Sequence, residues 1–142
     1  QAEDGIRDVE RSRGLGDVYK RQDKKLPDSL RNGKRLIANA IYKEPFFIAG
    51  DNRICTAIAE TLGNKITPKM GAEAVYFCSL NDLGLGLVLK CRDGSRRAVE
   101  FALGQILKLL NYKISKKLAK HFNSKIYNLS GDIVGSKSIK LL

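Results

Sequence analysis

Between Ala74 and Leu110 two short apolar runs are followed at once by a long amphipathic stretch, and few folds accommodate that order. Ala74-Val75-Tyr76-Phe77-Cys78-Ser79-Leu80 has the β-branched and aromatic content of a strand, Asn81-Asp82 supplies a turn, and Leu85-Gly86-Leu87-Val88-Leu89-Lys90 reads as a second strand. So short a connection makes the two strands an antiparallel hairpin. Asp93-Gly94 ends it. From Ser95 to Leu110, apolar residues recur at Val99, Ala102, Leu103, Ile106, Leu107 and Leu110, the spacing of one helix face. A hairpin with a helix behind it places the chain in the α/β class, more narrowly α+β, with a small antiparallel sheet packed on helices.

The flanking sequence adds shorter elements. Leu36, Ile37, Ala40 and Ile41 predict a helix over Leu30 to Tyr42 that stops before Pro45. Ile54, Cys55, Ile58, Ala59 and Leu62 predict a second one, with Asp51 as its N-cap and Gly63 as its C-terminal residue. Pro68 opens a different texture ahead of the hairpin. Beyond Leu110, Ile114, Leu118 and Phe122 among Lys113, Lys116, Lys117, Lys120 and Lys125 predict a short amphipathic helix. Ile126-Tyr127-Asn128-Leu129, a turn at Gly131, and Ile133-Val134 predict a small terminal hairpin. No apolar run approaches the ~18 residues of a membrane span.

Charge divides the chain. The formal net charge is +11 over 142 residues. Residues 1–22 hold five basic and five acidic residues, so all the net charge lies in 23–142, where 21 bases face 10 acids. The first segment carries four of the ten arginines and only one of the sixteen lysines, with no helical or strand periodicity. Its stretch from Ser12 to Gln22 resembles a translated sequencing adaptor, and 1–22 is set aside as an adaptor-derived leader, the alternative being a natural disordered tail. Residues 23–142 form the domain.

Several signals are weak. The lysines of 113–125 raise a second reading, a standalone basic domain that binds nucleic acid or an acidic partner. Only Phe122 and Tyr127 stand near them, too few aromatics for a base-stacking surface, so a solvated helix face is favoured. His121 is the single histidine and has no partners for a triad or a zinc site. Gly84-Leu85-Gly86 lacks the third glycine of a dinucleotide loop. Cys55, Cys78 and Cys91 cannot all pair with one another, which points to a reducing, cytoplasmic setting, and Cys78 reads as a small buried apolar residue.

Pro68-Lys69-Met70-Gly71-Ala72-Glu73 is the candidate site. Lysine, one residue, then glycine, followed by a hairpin and a long helix, is the order around the Lys-x-Gly element of serine β-lactamases and penicillin-binding proteins. Gly71 would let substrate approach the backbone, and the Lys69 ammonium would face an anionic substrate group or the nucleophile's network.

The wider run, Lys69-Met70-Gly71-Ala72-Glu73-Ala74-Val75-Tyr76, then Leu83-Gly84-Leu85-Gly86-Leu87-Val88-Leu89-Lys90, then Asp93-Gly94-Ser95-Arg96-Arg97-Ala98, resembles the C-terminal part of the asparaginase II family, the thermolabile, rhizobial-type L-asparaginases. Glu44-Pro45, Gly50, Arg53 and Thr56 resemble the segment before it, and Asn128, Gly131, Val134 and Gly135 its close. Glu44 stands where the family usually has histidine, and Ala74 where the motif ends in glycine. The resemblance implies the C-terminal part of a serine β-lactamase-like fold and hydrolysis of L-asparagine to L-aspartate and ammonia. It also implies Lys69 as a catalytic residue, with Gly71 and Glu73 at the substrate, Glu73 otherwise being a capping or salt-bridge residue. No Ser-x-x-Lys occurs in these 142 residues, nor do the family's zinc-binding cysteines and lysine. The expectation is therefore an inactive fragment with no cofactor of its own. Zinc and a homodimer would belong to the parent.

Overall fold

The computed structural model describes residues 27–140, so the leader set aside above lies outside the described residues. Among the described residues the chain forms five α-helices, a three-stranded antiparallel sheet and a two-stranded one. The helices are α1 (Asp28–Lys43), α2 (Phe46–Ala49), α3 (Ile54–Leu62), α4 (Arg96–Leu109) and α5 (Lys116–Ala119). The first sheet has the order β1 (Ile66–Met70), β2 (Val75–Leu80), β3 (Leu85–Lys90), and β4 (Lys125–Tyr127) pairs with β5 (Ile133–Ser136). The architecture is mixed, as the hairpin and the long amphipathic stretch require.

Alternation in the strands decides which side is core. Tyr76, Cys78 and Leu80 of β2 are buried, opposed by Met70, Pro68 and Ile66 of β1 and by Leu89, Leu87 and Leu85 of β3. Against this face pack Ile54, Cys55 and Ile58 of α3 and Val99, Leu103 and Leu107 of α4, joined by Leu118 and Phe122. Each such aliphatic side chain contributes about 1.5–3 kcal/mol when fully removed from water. Gly104 on α4 faces Phe122, and a Cβ there would stand 2.3 Å from the ring's Cγ, so the absence of a side chain lets the ring lie against the helix.

Polar contacts fasten the rim of this core. The buried Glu100 carboxylate takes the Arg96 Nε at 3.1 Å, with His121 Nδ1 at 3.9 Å. Lys137 lies over the Phe101 ring at 5.4 Å from its centroid, which ties the terminal hairpin to α4. Tyr112 donates its hydroxyl proton to Asp82, holding the β2–β3 loop against the end of α4. The lysine-rich segment folds as α5 and a 3-10 turn over Lys120–Phe122, with Leu118 and Phe122 buried and Lys117 paired with Glu60.

Three details differ from the sequence reading. β1 was not expected, because Pro68 breaks the strand texture; it is tolerated at the sheet's edge, where a missing N–H costs no ladder bond. Asp51 does not cap α3. Arg53 occupies the cap position in extended conformation without a side-chain bond, and Thr56 Oγ1 donates to Gly50 O at 2.7 Å instead. Phe46–Ala49, unassigned in sequence, forms the one-turn α2 directly after Pro45, whose φ of −58° suits a helix start.

α1 stands apart. It buries none of its side chains, and Leu30, Leu36 and Ile37 are exposed along it. At its C-terminal end Tyr42 and Thr67 share a hydrogen bond and Asn81 Nδ2 donates to Tyr42 Oη at 2.8 Å.

Candidate active site

Lys69 lies on β1 directly opposite Phe77, which in turn opposes Val88. With Thr67, Ser79 and Gly86 in the neighbouring row, these residues form the sheet face that turns away from the α4 core. Period-two alternation dictates this: Pro68 and Met70 face inward, so Lys69 must face outward, where its ammonium is hydrated and costs nothing to bury. α1 crosses in front of that face. Between helix and sheet is a cavity of about 670 Å³ whose lining includes Lys69, Phe77, Thr67, Ser79 and the Arg31, Lys34 and Arg35 side of α1.

Two residues past Lys69 the chain reverses. Val75 N–H bonds to Ala72 O at 3.1 Å and Gly71 N–H to Val75 O at 2.7 Å, and both central residues of this turn, Glu73 and Ala74, have φ of +52°. Such mirror-image turns match the twist of a hairpin and favour glycine at φ above zero, so Ala74 adopts a conformation that side chains resist. A glycine at that place adopts the conformation without the cost. Gly71 is another matter: its φ is not positive, and an added Cβ would meet Val75 at an ordinary 3.6 Å.

The site residues read from the sequence are therefore not all together. Lys69 lines the cavity, whereas Gly71 and Glu73 lie beyond it in the turn. Glu73 is exposed, its carbonyl accepts a bond from Lys90 Nζ, and among the described residues its carboxylate makes neither a cap nor an ion pair. Gly94 of the Asp93-Gly94 turn packs close by, a Cβ there reaching 3.8 Å from Glu73 Cα. Asn128 holds the terminal turn through its own side chain, accepting from Asp132 N at 2.8 Å and donating to Asp132 Oδ2 at 3.0 Å.

Sequence reasoning missed the groups around Lys69. Asn81 Nδ2 reaches Tyr42 Oη, Asn64 O at 2.8 Å and Thr67 Oγ1 at 3.0 Å, closing one end of the cavity. Recognising β1 would have exposed this, because Thr67 and Lys69 then share a face at i, i+2. On the inner side, Cys55 lies under the Lys69 strand. Burial pushes its thiol pKa up, against the lowering effect of a bond to the Met70 backbone and of the nearby Lys69 and Arg53 charges. Burial likewise pushes the Tyr76 hydroxyl well above its ordinary value, with Cys55 and Cys78 adding to the shift. Both groups stay neutral near pH 7, so Cys55 is no thiolate nucleophile there.

Among the described residues no three His, Cys, Asp or Glu side chains converge to hold a metal ion. None of the described helices is long and apolar enough to cross a membrane.

The sequence model of the L-asparaginase II family matches residues 13–139, a span that includes β1, its lysine and every other element described. The chain belongs to the L-asparaginase II family. The match begins within the segment 1–22 and runs through the terminal hairpin, so family membership rests on nearly the whole sequence. A search of the curated proteins found no match. Asparaginase-type hydrolase chemistry is thus the family-level function to set beside the geometry of Lys69.

Proposed function

We propose that this chain supplies the Lys69 wall of an L-asparaginase site, in the C-terminal part of a serine β-lactamase-like fold. The reaction is hydrolysis of the side-chain amide of L-asparagine. A serine Oγ attacks the amide carbon, the tetrahedral intermediate expels ammonia, and water cleaves the resulting ester to give L-aspartate and free the serine. Lys69 contributes a fixed positive charge at the sheet edge that favours the deprotonated nucleophile and the developing oxyanion. Gly71 is free of both conformational and packing demands within the described chain, which supports a role in letting substrate reach the strand backbone. Glu73, exposed and without an ion-pair partner among the described residues, is disposed to meet the substrate's ammonium group.

The observation that carries this reading is the outward position of Lys69 on the edge strand, at a cavity, in a chain of this family. The chain has no Ser-x-x-Lys, so it lacks the nucleophile and its base and does not turn over L-asparagine alone. Ammonia release is the test. The chain by itself should give none, and mixing with the N-terminal portion of a related family enzyme should restore it. Turnover by the chain alone would overturn the need for an external nucleophile.

A further inference from the structure

The two edges of the β1–β2–β3 sheet are built differently. Gly71 N–H bonds to Val75 O and Asn81 N–H to Lys65 O, so alternate residues of β2 from Val75 onward turn their backbone groups toward β1. Tyr76, Cys78 and Leu80 therefore bond to Leu89, Leu87 and Leu85 of β3, in keeping with the bond from Cys91 N–H to Ala74 O. Gly86, Val88 and Lys90 are left with N–H and C=O aimed out of the sheet, where no strand among the described residues pairs with them. On the far edge Pro68 removes the central outward N–H of β1 and Lys69 adds a charge, two devices that keep an edge from pairing. β3 has neither a proline nor a bulge, and its one charge is Lys90 at the end.

The open edge is apolar on both faces. Val88 is 62% exposed and Leu85 52%, while Leu87 and Leu89 are only partly buried against the core. Such an edge accepts another strand, and β3 is complementary to itself. Antiparallel pairing about a two-fold axis at Val88 sets Val88 opposite its own copy and Gly86 opposite Lys90 of the copy. All three outward-facing residues then exchange N–H and C=O with a partner, and Leu87 lies against Leu89 of the copy on the core side. This register also keeps the two lysines apart, each facing a glycine. An axis at Leu87 instead leaves Lys90 beyond the end of the copy's strand, and an axis at Lys90 sets like charges face to face.

We propose that β3 pairs with β3 of a second copy of this chain, extending the sheet across a two-fold axis at Val88. Lys69 lies on the opposite edge of the sheet. The pairing and the asparaginase chemistry are therefore separable, and failure of either leaves the other standing.

An interface built on one strand is small, so the full 142-residue chain should be monomeric at micromolar and dimeric at millimolar concentration by sedimentation equilibrium. Over the same range the amides of Gly86, Val88 and Lys90 should gain protection from hydrogen exchange, while those of Ile66 and Met70 on the β1 edge do not change. That measurement uses the unaltered chain and stands even where a variant fails to fold. Val88→Lys and Val88→Glu, at an exposed side chain, should each weaken self-association by about tenfold or more, because each sets like charges opposite one another across the axis. Mixing the two variants should restore a dimer, since opposite charges then meet at the axis. A monomer at every concentration, protection gained at another element instead of β3, association that grows past the dimer, or folded variants that stay apart when mixed overturns the proposal.

Discussion

Asn81 and Tyr42 stand 39 residues apart in sequence, and the Asn81 amide donates to the Tyr42 hydroxyl at 2.8 Å. The same nitrogen reaches Asn64 O and Thr67 Oγ1, so one side chain joins α1, the turn before β1 and the β2–β3 loop. No side chain of α1 is fully buried, and this junction is a polar anchor at its C-terminal end. Asn81→Ala should cost about 1–2 kcal/mol, since it leaves several partners without a donor. Urea denaturation measures the loss. Faster amide exchange along α1 should accompany it, and an unchanged α1 would show that the helix is held by other contacts.

The turn after Lys69 is strained at a place where one substitution relieves it. Ala74 has φ of +52° and is buried at 4% exposure. Ala74→Gly removes a Cβ penalty of about 1 kcal/mol and gives up a smaller amount of methyl burial, so a net gain of about 0.5 kcal/mol is expected. A rise in the thermal midpoint checks this, and a fall would mean that the methyl's packing outweighs the backbone.

Gly104 and Gly33 make a matched pair with opposite signs. An added Cβ at Gly104 would strike Phe122 at 2.3–2.7 Å, on atoms near the ring's attachment that cannot swing aside, whereas at Gly33 nothing among the described residues lies within 4 Å. Gly104→Ala should destabilise by about 1–3 kcal/mol through overpacking. Gly33→Ala, in the open middle of α1, should stabilise by about 0.5–1 kcal/mol through helix propensity. Denaturation curves of the two variants decide both.

Alkaline pH should weaken the fold in a definite window. Burial raises Cys55 from 9.0, and burial with the Asp82 bond raises Tyr112 from 10.0. Tyr76, buried throughout, is raised likewise from 10.0. In each case the folded value exceeds the unfolded one, so the stabilisation is complete below pH 9 and is lost as pH climbs past 9 and then 10. Among the described residues no hydrogen-bond partner meets Tyr76 Oη, which is buried beside the Cys55 thiol. Tyr76→Phe should therefore be neutral or stabilising by about 1 kcal/mol at pH 7 and should flatten the alkaline decline. Stability profiles of the two proteins from pH 7 to about 11 show whether it does.

The hairpin and α4 were legible because their apolar periodicities are long and uninterrupted, and the observed bounds Val75–Leu80, Leu85–Lys90 and Arg96–Leu109 fall within a residue of the expected ones. β1 was not, since Pro68 and Lys69 give a five-residue edge strand no apolar pattern, and only pairing with β2 makes it one. That gap hid the site's surroundings. Lys69 could be singled out by its spacing to Gly71, but its neighbours Phe77, Thr67 and Arg35 are brought to it by register and by the path of α1, which are tertiary facts. Ala74 shows the reverse: its departure from the family's glycine was visible in sequence, and the φ of +52° supplies the reason.

The role of Lys69 is tested most directly by ammonia release from L-asparagine, measured on the chain complemented with the N-terminal portion of a family relative and compared with its Lys69→Ala and Lys69→Arg variants. Co-purification should first show that each variant still associates with that portion, because the Lys69 side chain is exposed and carries none of the core. The account predicts turnover by the complemented wild type and a loss of about 100-fold or more in kcat for Lys69→Ala, with partial recovery in Lys69→Arg. Complemented Lys69→Ala that turns over as fast as the wild type would contradict it.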